Sequence, residues 1–470
     1  MKLPPGKLPL TKLQVIHDPR RPPSEDEKKA LGEIAALPQV ARAVALPDLH
    51  WKKGLEAPSS AAYAVRGHLV PQLSSCALNC GMGLIATGVE ATAFTPERVD
   101  ALYASFRASR VEERFDIDSS ALGRVVVEGA PAIAVHYGLD PEAVARMEDG
   151  GCVTPAGTEP REILDSLDPD IFADPGYEGL RHLGLGFDGN HFLEAQVLDE
   201  VLDEPLARAA GLEEGRVYVM YHGGGGVVPG FVGGYYGNRG KGYERSWRFW
   251  ASKVKFHFRR PRDWGRFREK WRYYFSGAHY PAIPASGVEG RSNRVALAAS
   301  MNYGYAYRVA MLARLRWALE RVFSRDRAGD ARLVWDTSHN TIAPEVVGGE
   351  ELWIHRHNAI RIHAGEVAVL PGHHTTPTLV GIGLEGTEQT LHSMPHGAGD
   401  TVNALRALGE GGEAPPLATR RYEGERLAPR VVPHGGSAGL DAVARLLEER
   451  RIWRPIARLR PIGVLKDYHY

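Results

Sequence analysis

The sequence predicts an α+β fold, and three observations carry that reading. Segments with helical and with strand-like patterning do not alternate regularly, which favours α+β over a doubly wound sheet. The last third, from Ile354 to His392, is rich in Val, Ile, Thr and Gly and reads as several short strands. One long stretch, NRVALAASMNYGYAYRVAMLARLRWALERVF from Asn293, carries apolar residues every three or four positions and predicts a long helix. With 470 residues, 43% of them hydrophobic, the chain can enclose a full core. No internal repeat or low-complexity linker divides it. We therefore expect one large domain over 1–470, short strands forming a central sheet core with helices around it.

The elements follow in order. Residues Ala30 to Val44 read as a short helix, and ARAVALPDLH (41–50) as an apolar strand ending in a turn at Pro47. Leu69 to Val89 looks like strand and turn material broken by glycines. TPERVDALYASFRASR has Thr95 as cap, Glu97 in the first turn and an apolar stripe, and predicts a helix. LDPEAVARMEDGG predicts a second helix with a glycine stop. GRVYVMYHGGGG is a strand entering a glycine-rich turn, and ARLVWDTSHN a strand ending in polar residues.

The opening MKLPPGKLPLTKLQV has prolines where a signal peptide needs an apolar core, and no window approaches eighteen apolar residues. This predicts a soluble, cytoplasmic protein. Three cysteines, an odd and sparse count, argue against a disulfide framework. Formal net charge is zero, so a polyanionic partner has to be met by local patches. One patch runs from Arg239 to Arg272, with 13 Lys or Arg against Glu244, Asp263 and Glu269. Trp247, Trp250, Trp264, Trp271, Phe249, Phe256, Phe258 and Phe267 interleave with it. Basic groups neutralise phosphates and aromatics stack on bases, so the composition suits nucleic acid. It equally suits an amphipathic segment, helical through DWGRFREKWRYYF, whose aromatics are core and whose arginines are its solvated face.

SSCALNCGMGL holds Cys76 and Cys80, four residues apart. Of 19 histidines, four sit where strands end in Gly or Asn: His191 in GNHFLE, His222 in YHGGGG, His339 in TSHNTIAPE and His396 in MPHGAGD. Strand ends can aim imidazoles into a common cleft, and glycines let backbone N–H groups approach a phosphate. Together with Cys80 they point to a composite metal site drawn from distant segments. Thiolate and imidazole by themselves suggest zinc, but no ligand pair has a zinc-finger interval, so spacing leaves the metal open.

LPDLHWKKG, NCGMGLI, GNHFLEAQ, VMYHGGG, SMNYGYAYR, VWDTSHN, HRHNA, VLPG, HGAG and RLRPIGVLK occur in an order that resembles the RtcB family of RNA-splicing ligases. The resemblance runs from about Ala45 to Lys466, thin between roughly Glu90 and Arg181 and across a basic, aromatic insertion at about 235–292. It implies an RtcB-like α+β domain and a GTP- and manganese-dependent ligase acting on RNA ends, such as tRNA halves. RNA 2′,3′-cyclic phosphate or 3′-phosphate ends would be joined to 5′-hydroxyl ends through a covalent histidyl-GMP. By motif position His396 looks like the nucleophile, and Cys80, His191, His222 and His339 like metal ligands. Asn190, Glu194 and Asn340 look like nucleotide-site residues, Pro371 and Gly372 like part of the guanosine loop, and Gly397, Ala398 and Gly399 like a backbone cradle. Lys466 matches the lysine that closes the family's chain at the guanine.

Departures from the pattern matter. The family's metal-binding Asp before Asn-Cys-Gly is Ala77 here, and the serine and arginine of HSGSRG are lost in HGGGGV, with Gly226 at the arginine. GSMG becomes GHHT (Gly372 to Thr375), HGAGR ends in Asp400, and RKGA becomes RHNA (Arg356 to Ala359). We expect one tightly held ion and a weakened second position, with Asn79, Asp48 or His50 as substitute donors there. Cys76, where the family has tyrosine, reads as a small buried hydrophobe. A non-sealing homologue that binds RNA or nucleotide, and a metal-dependent phosphoesterase, remain alternatives to the ligase.

Overall fold

The computed structural model describes residues 12–51, 55–140, 142–173, 183–187, 189–237, 246–323, 331–424 and 428–466. The first helix, Glu25–Ala36, starts where Ser24 and Glu27 form a reciprocal capping box and stops at Leu37 before Pro38. It therefore lies earlier than the expected Ala30–Val44, and Val40 already opens the strand Val40–His50. The turn expected at Pro47 is a bulge inside that strand. Pairing with the strand Ser59–Val65 jumps from Ala45 opposite Ala61 to His50 opposite Ser59, and Asp48 adopts φ +68°.

Two sheets form the framework. The smaller has the order Leu13–Val15, Val40–His50, Ser59–Val65, Glu350–His357 and Asn340–Val347. The larger runs Val367–Pro371, Thr378–Gly383, Trp453–Lys466, Phe192–Val201, Arg216–Gly223, Gly81–Glu90 and Arg332–Ser338. Ala418–Glu423 and Arg430–Pro433 are attached beside it. Along Arg216–Gly223 the side chains alternate. Val217, Val219 and Tyr221 enter the apolar cluster of the long helix, while Tyr218 and Met220 enter a second cluster on the other face. The chain passes from one sheet to the other at a single residue, His339, between Ser338 and Asn340.

The long helix is Val288–Val322, and it is buried on nearly every side. It packs on the strands Gly81–Glu90 and Arg216–Gly223 and on the helices Pro96–Ala108, Ser119–Glu128 and Ala130–His136. LDPEAVARMEDGG gives a single α-helical turn, Glu142–Ala145, and a kinked 3₁₀ turn, Glu148–Gly151, among the described residues. The chain bends there through Asp149 at φ +55°, and the neighbouring Glu148 carboxylate is drawn against the sheet. There it accepts from the Ser338 N–H at 2.9 Å and pairs with Arg361 at 3.2 Å. DWGRFREKWRYYF divides at Gly265 into Pro261–Trp264 and Phe267–Tyr274. Arg239, Lys241 and Arg245 of the basic patch lie outside the described residues. Among those described, no helix is long and apolar enough to cross a membrane.

Candidate active site and metal centre

The face of the large sheet turned away from the long helix becomes a floor near its strand ends. Met82, His222 and Phe192 are cross-strand neighbours in one row, and Met220, Glu194 and Val464 in the next. Above them, Pro371 to His374 and the HGAG turn into the helix Gly399–Ala407 enclose a cavity of about 330 Å³. Asp48 and His50 of the bulged strand also line it. That volume lies at the small end of the range for ligand sites.

At one end of this floor, the donors converge. Cys80 Sγ lies 3.1 Å from His191 Nε2 and 3.3 Å from His222 Nε2, and His222 Nε2 lies 2.9 Å from His339 Nε2. Cys80, His191 and His222 place their ligand atoms within 4.8 Å of one another, and no carboxylate joins that group among the described residues. Burial, followed by His339, His191 and His396, keeps His222 well below the usual imidazole range, so it presents a neutral lone pair. One thiolate and two imidazoles fit one divalent ion of borderline softness, leaving positions for phosphate or water oxygens, while His339, expected as a fourth ligand, touches His222 but stands outside the converging group.

Buried pairings hold these donors. Arg308 of the long helix grips Asp336 with two bonds of 2.7 and 2.9 Å and reaches the Asn79 carbonyl at 2.7 Å; Tyr221 donates to Asp336 at 2.6 Å. The loop before Cys80 and the strand before His339 are thereby tied to one guanidinium. Backbone bonds from Asn79 to the Asn340 carbonyl and from His339 to the Cys80 carbonyl, both 2.9 Å, complete the link. At Gly224, φ is +133° and a Cβ would stand 2.6 Å from the Asn79 carbonyl, so only glycine lets the turn after His222 close on the Cys80 loop.

His396 is anchored by its backbone neighbour across the turn. Its Nδ1 lies 3.1 Å from the Asn358 carbonyl, which can only accept, so the proton belongs on Nδ1 and Nε2 keeps the lone pair. Asn358 makes this carbonyl available by adopting φ +48°, a conformation asparagine tolerates. The His396 ring sits 4.5 Å from that of His339 and 5.9 Å from that of His222, centroid to centroid.

Asn190, Glu194, Pro371, Gly372, His222, His396, Gly397, Gly399 and Lys466 all line the cavity. Burial pushes Glu194 up to about 7, against the opposing influence of Gln196 and Lys466. Asn340 does not line it. Its amide donates to the Ala77 carbonyl at 3.1 Å and accepts from the Asn358 N–H at 2.9 Å, bracing both metal loop and His396 anchor. Ala398 is buried, and its N–H donates to the Pro371 carbonyl at 2.8 Å, so it joins the two lining loops without facing the cavity. Of the substitute donors, Asn79 turns its amide to the Met301 carbonyl, while Asp48 accepts from the Thr401 N–H at 2.6 Å. Cys76 is half-buried and packs on Gly233, apart from the donor group.

Sequence reasoning assigned no role to Trp51, His373, His374 or Asn403, which also line the cavity. The GHHT departure was the available signal for the two imidazoles. Burial, then Arg406, lowers His373 to about 4, and burial with His373 lowers His374 further, so both are neutral. Asp400 is paired with Arg21, whose guanidinium also bonds the Leu49 carbonyl.

A family model described as tRNA-splicing ligase RtcB matches residues 30–467. Curated relatives of the same description include a Thermococcus kodakarensis protein, 27% identical over 92% of this chain and 89% of its own length. Another, from Methanococcus maripaludis, is 24% identical over 94% of this chain and 92% of its own. A Pyrococcus horikoshii relative is 27% identical over 83% of this chain, and the match spans 44% of that longer protein. With the family model matching almost end to end and its motifs meeting around one cavity, the chain belongs to the RtcB family.

Proposed function

We propose that the chain is an RNA ligase that joins 2′,3′-cyclic phosphate or 3′-phosphate ends to 5′-hydroxyl ends, using GTP and manganese. The observation that supports this most directly is His396. Its Nδ1 is engaged at Asn358, and its ring stands against the His222 and His339 rings at the edge of the lined cavity. In the first step His396 Nε2 attacks the α-phosphorus of GTP. A P–N bond forms, the bond from that phosphorus to the bridging oxygen breaks, and pyrophosphate leaves. The Asn358 carbonyl stabilises the positive charge that develops on the ring. After water opens the cyclic end to a 3′-phosphate, that phosphate takes GMP from His396, and the 5′-hydroxyl of the second strand then displaces GMP to form the phosphodiester.

A divalent ion held by Cys80, His191 and His222, with His339 beside His222, would supply positive charge at the α-phosphate. Glu194 and Lys466 would face the base, and Gly397 and Gly399 the phosphates. Substrates on this reading are RNA ends such as tRNA halves. The absence of a disulfide among the described cysteines agrees with a reducing cytoplasm.

The experiment is incubation with manganese and GTP labelled at the α-phosphate. Acid-labile, alkali-stable label on wild type and none on His396→Ala is expected. Equal labelling of both, or none with any divalent metal, rejects the nucleophile and favours a non-sealing binder or phosphoesterase.

A further inference from the structure

The segment from Ser246 to Phe275 settles into two unlike sides. Inward, basic groups are consumed by folding. Lys253 is buried and donates to the Gly234 carbonyl at 2.9 Å, and Lys270 reaches Glu289 at 3.1 Å. Arg266 reaches Glu289 at 3.0 Å, Arg260 reaches Asp165 at 2.7 Å, and Arg259 bonds the Leu167 carbonyl at 3.2 Å. Composition alone could not separate these from the outward set. Outward, Trp264, Phe267 and Trp271 follow one another as stacked rings, a row that ends on Phe275, half-buried against the main core. Their centroids are 6.4, 5.5 and 5.5 Å apart and their planes differ by 4°, 27° and 21°; Trp250 adjoins Phe275 at 6.3 Å. Phe267, Trp271 and Phe275 recur every four residues, so the helix sets them on one face. Trp264 remains 58% exposed, Trp271 47% and Phe267 41%.

Exposed large aromatics in a row cost solvation and mark a surface that binds something. Its charge identifies what. Arg248, Lys255, Arg262, Arg268 and Arg272 are exposed, and none forms an ion pair with an acid among the described residues. The acids nearest in sequence, Asp263 and Glu269, are taken by Lys270 and Arg266. A flat stepped row of rings bordered by uncompensated cations matches unpaired bases with their phosphates, since every base offers a π face and a duplex hides it. No residue of this segment lines the catalytic cavity.

We propose that this ladder is a second RNA site, a platform for a single strand outside the catalytic cavity. It rests on the ligase reading only for the identity of the nucleic acid, and it would hold the unpaired strand adjoining the end to be joined. The test uses the full chain with a fluorescein-labelled 15-nucleotide oligouridylate and, separately, a 15-base-pair RNA duplex. The single strand should bind at least about tenfold more tightly than the duplex, and Trp264→Ala with Trp271→Ala should weaken it about tenfold or more. Arg268→Glu with Arg272→Glu should reduce the slope of log affinity against log salt by about 0.7 for each phosphate contact removed. Both variants should melt like wild type and keep GTP labelling of His396. Unchanged affinity and slope in both variants would overturn the proposal, as would equal binding of duplex. So would a tryptophan variant that alters self-association of the chain and leaves RNA affinity intact. If wild type takes no GTP label yet its RNA binding depends on the ladder, the ligase reading fails and the platform stands; label without ladder-dependent binding gives the reverse.

Discussion

On the proposed reading, Ala77 limits how much positive charge the centre would hold. Two neighbouring divalent ions need anionic donors between them, and the described donor group contains one thiolate and no carboxylate. Metal analysis should therefore find about one tight ion per chain. Ala77→Asp should raise occupancy of a second, and Cys80→Ala should release metal while Cys76→Ala does not; two tight ions in the native protein would reject this. Glu194 gives a second prediction. With its ionisation raised to about 7, it is half protonated near neutrality, whereas a guanine edge offers N–H donors that only the ionised carboxylate fully accepts. GTP affinity should rise with pH between 6 and 8 and become flat in Glu194→Gln, as read by calorimetric titration. That Cys80, His191, His222, His339 and His396 come together was legible because each sits in a short motif at a strand end. The bracing role of Asn340 was not legible, because an amide beside a ligand looks the same in sequence whether it faces a nucleotide or braces a loop. Asp48 and His50 were named only as substitute metal donors, since nothing local reveals that a bulge turns them toward the cavity.

At the level of elements, buried pairings decide where the functional loops stand. Arg308 and Asp336 are both fully buried, so removing one leaves an uncompensated charge. Arg308→Met should cost about 3–5 kcal/mol in urea unfolding and weaken metal affinity, with Arg308→Met/Asp336→Leu recovering part of the stability. SMNYGYAYR and VWDTSHN were both visible as motifs, but the contact joins residues 28 positions apart on a helix and a strand, and pattern alone does not reveal it. The long helix was legible for the opposite reason: its periodicity is local and persists over many turns. The first helix was placed too late in the chain because the Ser24–Glu27 box that starts it was not read. The same box predicts that Ser24→Ala costs about 1 kcal/mol.

For the whole molecule, α+β architecture followed from irregular element order, while the division into two sheets did not, because it depends on strand pairings between distant segments. An ion bound by the native donors and absent from the unfolded chain stabilises by mass action, by about 2.7 kcal/mol at a hundredfold excess over Kd. Chelation should lower the thermal midpoint, and amide hydrogen exchange should quicken first at Asn79 to Gly81 and Ser338 to Thr341. Exchange spread evenly over both sheets would contradict that. The passage of the chain through His339 carries a further consequence. Because His339 is the one residue between the last strand position of the large sheet and the first of the small one, a slip of either sheet against the other would shift the imidazole that stands 2.9 Å from His222. Ion affinity is in this sense a gauge of alignment between the two halves. A distant substitution that shears the small sheet should register as lost metal before it registers as unfolding.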